Sequence, residues 1–266
     1  MENWQVKRIL ILGTTYPSYS RKYAETVCTG GILEDSYEMV RLHPIPHRYL
    51  EPEHQFKAFQ FIKAKITKNL SDPRPESYRI EPNSIELQDE IPYKKYNVRR
   101  EYLEKSPHFC SSVEELIDRQ AKFGISLGIV KPKKIIDCKI ELRPEDKRVE
   151  WEEKEKSILS QKDLFEYNFK PIDFPEAQFF VFWECDDKRC TGHKMNLHQW
   201  GIHELYRKYK NNLKRDQKVL DAMWNKLDQS NRDVFLFLGN FRDIQYNFGL
   251  MDSYSPEKKR QLGLFG

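Results

Sequence analysis

The hydrophobic and polar positions along the chain predict short strands first and helices later. The run VKRILILG at 6–13 is continuously apolar at its centre and ends at a glycine, which is typical of a buried strand. Residues 26–33 and 38–43 predict paired strands, and 59–68 alternates apolar residues with lysines as a half-exposed strand does. Little helical periodicity precedes about residue 110. Short strands at such close spacing predict a small barrel or a partly open sheet.

Helical patterns dominate the second half. Residues 111–124 predict a helix that Ser111 or Ser112 caps and Gly124 ends. The segment 143–165 is so highly charged that it predicts a solvated helix or an arm. A strand at 177–185, helices within 197–212 and 216–230, and two strands within 233–252 complete the prediction.

These patterns together predict an α+β fold. Its N-terminal region is barrel-like, and its C-terminal region combines strands and helices around a candidate zinc site. We divide the chain into a β-rich nucleic-acid-binding region, an α/β region with a Cys/His cluster and a flexible tail, at 1–150, 151–256 and 257–266.

Composition narrows the class of protein. The 266 residues are 39% hydrophobic and 32% charged, which is typical of a globular protein with a heavily solvated surface. The sequence has no apolar run of about 18 residues and no secretory signal at its start, so we expect a cytoplasmic protein without a membrane span. Five cysteines, an odd number, do not indicate a disulfide framework. A net charge of +4 permits nucleic-acid binding without requiring it.

One cysteine- and histidine-rich stretch predicts a metal site. Cys185, Cys190 and His193 lie within nine residues, and His203 follows on a predicted helix. Thiolate and imidazole are preferred zinc ligands, and a structural site needs four ligands. We take His203 as the fourth ligand, while His198, Glu204 or a water molecule are alternatives. Reduced cysteines in a surface loop are the other interpretation.

Two polar segments carry candidate catalytic groups. The loop SDPRPESYR at 71–79 is stiffened by two prolines and presents Asp72, Arg74, Glu76 and Arg79. His43, beside two prolines at the end of a predicted strand, can act as a base or contact a phosphate. The alternatives are an internally salt-bridged loop and a structural histidine.

Several groups of basic residues predict contacts with phosphates. Such contacts depend on charge and weaken steeply with salt. The candidates are Arg41, Arg48, Arg99, Arg100, Lys131, Lys133, Arg207, Lys208 and Lys210. Runs of charge are also typical of a merely solvated surface.

The last residues contain a short motif. Gln261, Leu262, Leu264 and Phe265 resemble the pentapeptide with which bacterial DNA-processing proteins bind the β sliding clamp, although Gly263 replaces the usual Ser or Asp. The resemblance implies that Leu264 and Phe265 enter an apolar pocket while Gln261 anchors the peptide by hydrogen bonds. Packing of these residues against the protein's own body is the alternative.

A second resemblance covers about the first hundred residues. RILILGTTYP, ETVCTGGILEDSYEMVRLHPIP and SDPRPESYRIEP are similar to an uncharacterised bacterial family with paired OB-like barrels, found near phage-defence and DNA-modification genes. It implies nucleic-acid binding and no particular catalytic residue.

We therefore expect a DNA-binding factor in repair, replication-linked surveillance or phage defence that its tail recruits to the clamp. The first alternative is an enzyme acting on modified or damaged DNA, a nuclease or a glycosylase. The second is an RNA-binding or RNA-processing protein. A deep polar cleft bordered by both catalytic candidates would favour the enzyme, because a base-excising enzyme turns its target out of the stack into a pocket.

Overall fold

Five strands of the N-terminal half close into a barrel. The computed structural model describes residues 3–20, 22–160, 170–241 and 244–258. The N-terminal strands are β1 (Gln5–Thr14), β2 (Ser18–Ser20), β3 (Ala24–Leu33), β4 (Met39–Ile45), β5 (Gln60–Lys68), β6 (Ser77–Ile80) and β7 (Glu86–Glu90). Neighbouring strands run in the order β1-β3-β4-β6-β5, and β5 pairs again with β1 to complete the circle. The pairings are antiparallel except that of β4 with β6.

This barrel confirms the predicted N-terminal architecture and is compatible with an OB-like fold. The short β2 extends the sheet beside β3, and β7 pairs with β5. Helix α1 (Tyr96–Lys105), however, lies where little helix was expected. Only Arg99 and Leu103 of this helix are buried, so its sequence carries a weak amphipathic pattern.

The second half builds two further sheets and four more helices among the described residues. The strands are β8 (Phe109–Cys110), β9 (Leu127–Val130), β10 (Lys134–Leu142), β11 (Ala177–Glu184), β12 (His193–Asn196), β13 (Phe235–Phe241) and β14 (Ile244–Tyr254). One sheet has the order β14-β13-β9-β8, and the other has the order β10-β11-β12. The helices are α2 (Val113–Phe123), α3 (Glu145–Leu159), α4 (Trp200–Lys208) and α5 (Arg215–Leu227). The predicted α+β class is confirmed.

The ends of α2 follow the sequence signals. The Ser112 hydroxyl accepts a hydrogen bond from the Glu115 backbone N–H, and Gly124 ends the helix with a positive φ of 72°. The charged segment after Arg143 forms the solvated helix α3, in which Ile158 is buried.

Strand β1 is buried on both of its faces, which explains its unbroken apolar run. Ile9 and Ile11 point into the barrel core. Leu10 and Leu12 pack instead in a separate cluster with Leu127, Ile129, Phe235 and Phe237 of β9 and β13. The outside of the barrel is thus attached to the second half by a hydrophobic layer.

None of the helices in the described parts of the chain has the length and apolar composition needed to cross a membrane.

Candidate functional site

A cleft of about 880 Å³ lies between the barrel and the second half of the chain. From the barrel side it is lined by the end of β1, by β3 and β4, and by the loop between β5 and β6. From the other side it is lined by residues around β10, α3, α4, β13 and β14. A cavity of this size between two structural units is typical of a ligand site.

The cleft brings together four of the five candidate catalytic residues. His43, Asp72, Arg74 and Arg79 all line it. Arg74 holds Asp72 in a bidentate ion pair, with Nε–Oδ1 and Nη2–Oδ2 distances of 2.9 and 2.6 Å. Burial alone would raise the pKa of Asp72, but hydrogen bonds from Arg74 and Ser77 outweigh it and lower the pKa to about 2. The loop is therefore internally salt-bridged and also faces a cavity.

Glu76, the fifth candidate, does not line the cleft. Its side chain is buried between the two halves, where Oε1 accepts a hydrogen bond from the Ser126 N–H at 2.8 Å and Oε2 from the Ser126 hydroxyl at 2.7 Å. The structure places Glu76 outside the cleft with the contacts of a structural anchor, which does not support the catalytic role predicted for it. Glu76 lies in the turn that directly precedes β6, and this turn directs its side chain towards Ser126 rather than into the cleft.

Three histidines in the cleft are held in the neutral form. Burial, and secondarily the charge of Arg74, lowers the pKa of His43. Burial and the nearby Arg143 guanidinium lower the pKa of His198 to about 4 and that of His203 to about 3. All three imidazoles therefore offer uncharged donors and acceptors near neutral pH.

Positive charge outweighs negative charge along the cleft. The cationic side chains that line it are Lys22, Arg41, Lys68, Arg74, Arg79 and Arg143. Asp72 is the single carboxylate among the described lining residues, and it is already paired with Arg74. Lys22 and Lys68 are exposed, whereas Arg41 is buried. The lining thus suits an anionic ligand, with exposed charges at the mouth and a buried one at the floor.

Aromatic rings accompany these charges. Tyr16, Tyr23, Trp151 and Phe241 line the cleft. Phe241 is 40% exposed and makes an edge contact with His198 at a centroid distance of 5.3 Å. Combined with basic side chains, such rings are a surface on which bases can stack.

Most predicted phosphate-binding residues are engaged with protein groups. Arg99 is only 6% exposed and donates to the Ile91 carbonyl, so its assignment to a nucleic-acid surface is wrong. Burial lowers the pKa of this arginine. Arg48 forms a 2.6 Å ion pair with the buried Glu25 and donates to the Pro171 carbonyl. These two arginines stabilise the fold, because buried acceptors would otherwise lack partners.

The remaining basic candidates are scattered over the surface. Arg100 and Lys131 both form ion pairs with Asp233, at 3.4 and 2.6 Å. Lys133 lies 3.2 Å from Asp186, and Arg207 lies 2.7 Å from Asp173, while Lys208 and Lys210 are exposed. Of the nine candidates, only Arg41 lines the cleft. Lys22, Lys68 and Arg143 were not among the candidates, because one or two basic residues in a stretch do not distinguish a binding site from a solvated surface.

Cys185, Cys190 and His193 meet as predicted, but their fourth partner is different. Glu114, in the first turn of α2, joins them, and one donor atom from each of the four lies within 4.8 Å of the others. The His193 Nε2 atom is 3.2 Å from Cys185 Sγ and 3.3 Å from Cys190 Sγ. Glu114 Oε2 is 2.8 Å from Cys185 Sγ. Two sulfurs, one imidazole and one carboxylate at these distances can hold a metal ion.

His203 lies apart from this cluster, so its assignment as a ligand is corrected. Its ring contacts Tyr16 and Phe179, with centroid distances of 4.7 and 5.0 Å, beside the cleft. His198 also lines the cleft. A lone glutamate 71 residues before Cys185 carries no sequence signal for metal binding, so Glu114 was missed.

The motif that resembles the clamp-binding pentapeptide lies outside the described residues. Gln261, Leu262, Leu264 and Phe265 all belong to the segment 259–266.

Comparison with known proteins finds two family models. The model described as domain of unknown function (DUF8757) matches residues 109–266, and the model described as domain of unknown function (DUF8758) matches residues 5–105. The two matches correspond to the barrel with α1 and to the remaining elements. No curated protein matches the chain.

Proposed function

The chain belongs to the family described as domain of unknown function (DUF8757), and we propose that it is a DNA-binding protein that takes part of a DNA strand into the cleft. The observation that carries this proposal is the charge of the lining: six cationic side chains and, among the described residues, one carboxylate that is already paired. Such a surface attracts a nucleic acid through the negative charge of its phosphate groups. Phe241 and Tyr23 add rings for base stacking.

Binding is tested by fluorescence anisotropy with labelled single-stranded DNA, duplex DNA and single-stranded RNA across a salt series. We expect DNA binding that weakens with salt, and a Lys22→Ala/Lys68→Ala variant whose logarithmic salt slope is smaller by about 1 to 2. Lys94→Ala/Lys95→Ala is the matched control, because these exposed lysines do not line the cleft. Stronger binding of RNA would favour the RNA alternative, and equal losses in both variants would contradict a role of the cleft.

A DNA-modifying enzyme is the second candidate, because the cleft is bordered by both His43 and the 71–79 loop. Excision of a base comes first among the reactions, since Asp72 is kept ionised by Arg74 and can stabilise positive charge that develops on a sugar. Incubation with duplexes that carry damaged or modified bases, followed by a strand-cleavage assay at abasic sites, tests this. Activity lost in Asp72→Asn supports it, and an activity unchanged by that substitution contradicts it.

We propose that the cluster of Glu114, Cys185, Cys190 and His193 binds zinc in a structural role. Four protein ligands complete a tetrahedron and leave no open position for a substrate. The ion would connect the first turn of α2 to the turn between β11 and β12. Elemental analysis is expected to find one equivalent of zinc per chain, lost in Cys190→Ser and retained in Cys28→Ser. Absence of zinc from protein purified without chelators would contradict the proposal.

We also propose that Gln261–Phe265 binds the bacterial β sliding clamp and thereby brings the protein to DNA under repair, replication or phage attack. The support is the match of four motif positions in the sequence. Titration of purified clamp against the intact protein is expected to give micromolar affinity that a Leu264→Ala/Phe265→Ala variant loses. Equal binding by both proteins would refute the motif's role.

A further inference from the structure

Among the described residues that line the cleft, the buried atoms Arg41 Nε, Arg143 Nε and Asn240 Oδ1 have no hydrogen-bond partner, and Arg41 and Asn240 contact each other at its floor. Arg41 is 4% exposed and Asn240 is 2% exposed. Buried polar atoms normally have partners, and those without one call for an explanation such as a ligand.

Both side chains are fixed in place by their other atoms. Arg41 Nη2 donates to the carbonyls of Ser126 and Asn240, at 3.3 Å each, and Nη1 lies 3.1 Å from Cys28 Sγ. Asn240 Nδ2 donates to the Gln245 carbonyl at 2.8 Å. This bond also determines which amide atom is the oxygen, since only the nitrogen can donate there. Neither Arg41 Nε nor Asn240 Oδ1 can turn towards solvent without breaking these bonds.

We propose that this floor binds the hydrogen-bonding edge of one nucleobase, which accepts a hydrogen bond from Arg41 Nε and donates one to Asn240 Oδ1. This inference rests on the proposed DNA binding and identifies a base as the part of the strand that enters the cleft most deeply. The Watson–Crick edge of every base places an acceptor beside an N–H donor, so the chemistry fits a base in general. In a duplex that edge is already paired, and the base must therefore come from a single strand or be turned out of the stack.

The distribution of charge agrees with this orientation of the nucleotide. The exposed Lys22 and Lys68 lie at the mouth, where they can contact phosphates. Deeper groups include His198 and His203, which burial keeps uncharged, and they suit a neutral ring better than a phosphate. Phe241 offers a face on which the base can stack.

Base analogues that keep the shape of a base but lack its hydrogen-bonding groups distinguish hydrogen bonds to the floor from stacking. Difluorotoluene replaces thymine and methylbenzimidazole replaces adenine with nearly the same shape, in oligonucleotides of about twelve nucleotides whose phosphates are unchanged. We expect at least one natural oligonucleotide to bind about tenfold more tightly than its isostere, as the loss of one or two buried hydrogen bonds implies.

Two protein variants test whether the floor of the cleft causes the preference for the natural base. In Asn240→Ala the preference for the natural base is expected to disappear, whereas Asn69→Ala, which changes another asparagine of the cleft lining, is expected to retain it. Equal affinity of the wild-type protein for each natural strand and its isostere would overturn the inference while leaving the proposed DNA binding intact. Failure to bind any of these strands or a duplex would instead overturn the proposed function. The wild-type comparison decides the question even if Asn240→Ala does not fold.

Discussion

Glu76 provides the sharpest test of how the two halves are held together. Its carboxylate is 4% exposed and accepts hydrogen bonds from both the backbone N–H and the hydroxyl of Ser126, which itself has no exposed surface. The His108 ring lies 3.6 Å from the same carboxylate. Glu76→Ala removes the acceptor and leaves two donors buried without partners.

The cost follows from these two donors. A buried donor without an acceptor costs about 1–3 kcal/mol, so Glu76→Ala is expected to lower the free energy of unfolding by about 4 kcal/mol. That is a large share of the roughly 5–15 kcal/mol by which a folded domain is usually stable. Ser126→Ala leaves the N–H bonded but removes the donor of the buried Glu76 Oε2, so we expect one such penalty, about 2 kcal/mol. Glu76→Gln retains an acceptor for the N–H and should fall between the two.

Urea denaturation followed by tryptophan fluorescence measures these differences. The order of stability is expected to be wild type, Ser126→Ala, Glu76→Gln and Glu76→Ala, with unchanged dependence on urea concentration. A Glu76→Ala protein as stable as wild type, or one that loses ligand binding while keeping its stability, would refute the structural role and restore Glu76 as a candidate functional residue.

Three further outcomes follow from the same contacts. The pKa of Asp72 in the folded state is about 2, below its ordinary value of 3.8, so its contribution to stability is fully present above pH 3.8 and is lost as the pH falls towards 2. Melting temperatures measured from pH 5 downwards should therefore decline less steeply in Asp72→Asn than in the wild type, and parallel curves would contradict the ion pair. For His198 and His203 the folded-state pKa values of about 4 and 3 lie below 6.5, so the unfolded chain takes up protons first and stability falls as the pH decreases from 6.5 to about 4. NMR titration should find the rings of His198 and His203 still neutral at pH 5, and charged rings at both positions would disprove their burial. In Gly13→Ala the added Cβ would clash with Asp252 Oδ2 and lie 3.1 Å from Asp252 Cβ, so the free energy of unfolding should fall by about 1–3 kcal/mol in thermal unfolding. An unchanged melting temperature would contradict this clash.

The sequence by itself determined the features that depend on near neighbours in the chain. The run of β1, the capped helix α2 and the meeting of Cys185, Cys190 and His193 could all be predicted, because each is set by residues within about ten positions. A cleft bordered by His43 and the 71–79 loop is expected of an enzyme, but the sequence could not predict that the two lie close together, because their proximity requires β4 and β6 to pair.

Only the tertiary structure decided which side chains share an environment. Glu114 joins the Cys/His cluster because α2 packs in the same core as Cys185. Asn240 meets Arg41 across 199 residues of chain because the barrel packs against β9 and β13. The same packing buries Arg99 and Glu76, two charged residues whose types alone suggested exposure. Local pattern records whether a position is apolar or polar. Burial, partners and charge balance depend on contacts between distant segments, which a periodicity cannot encode.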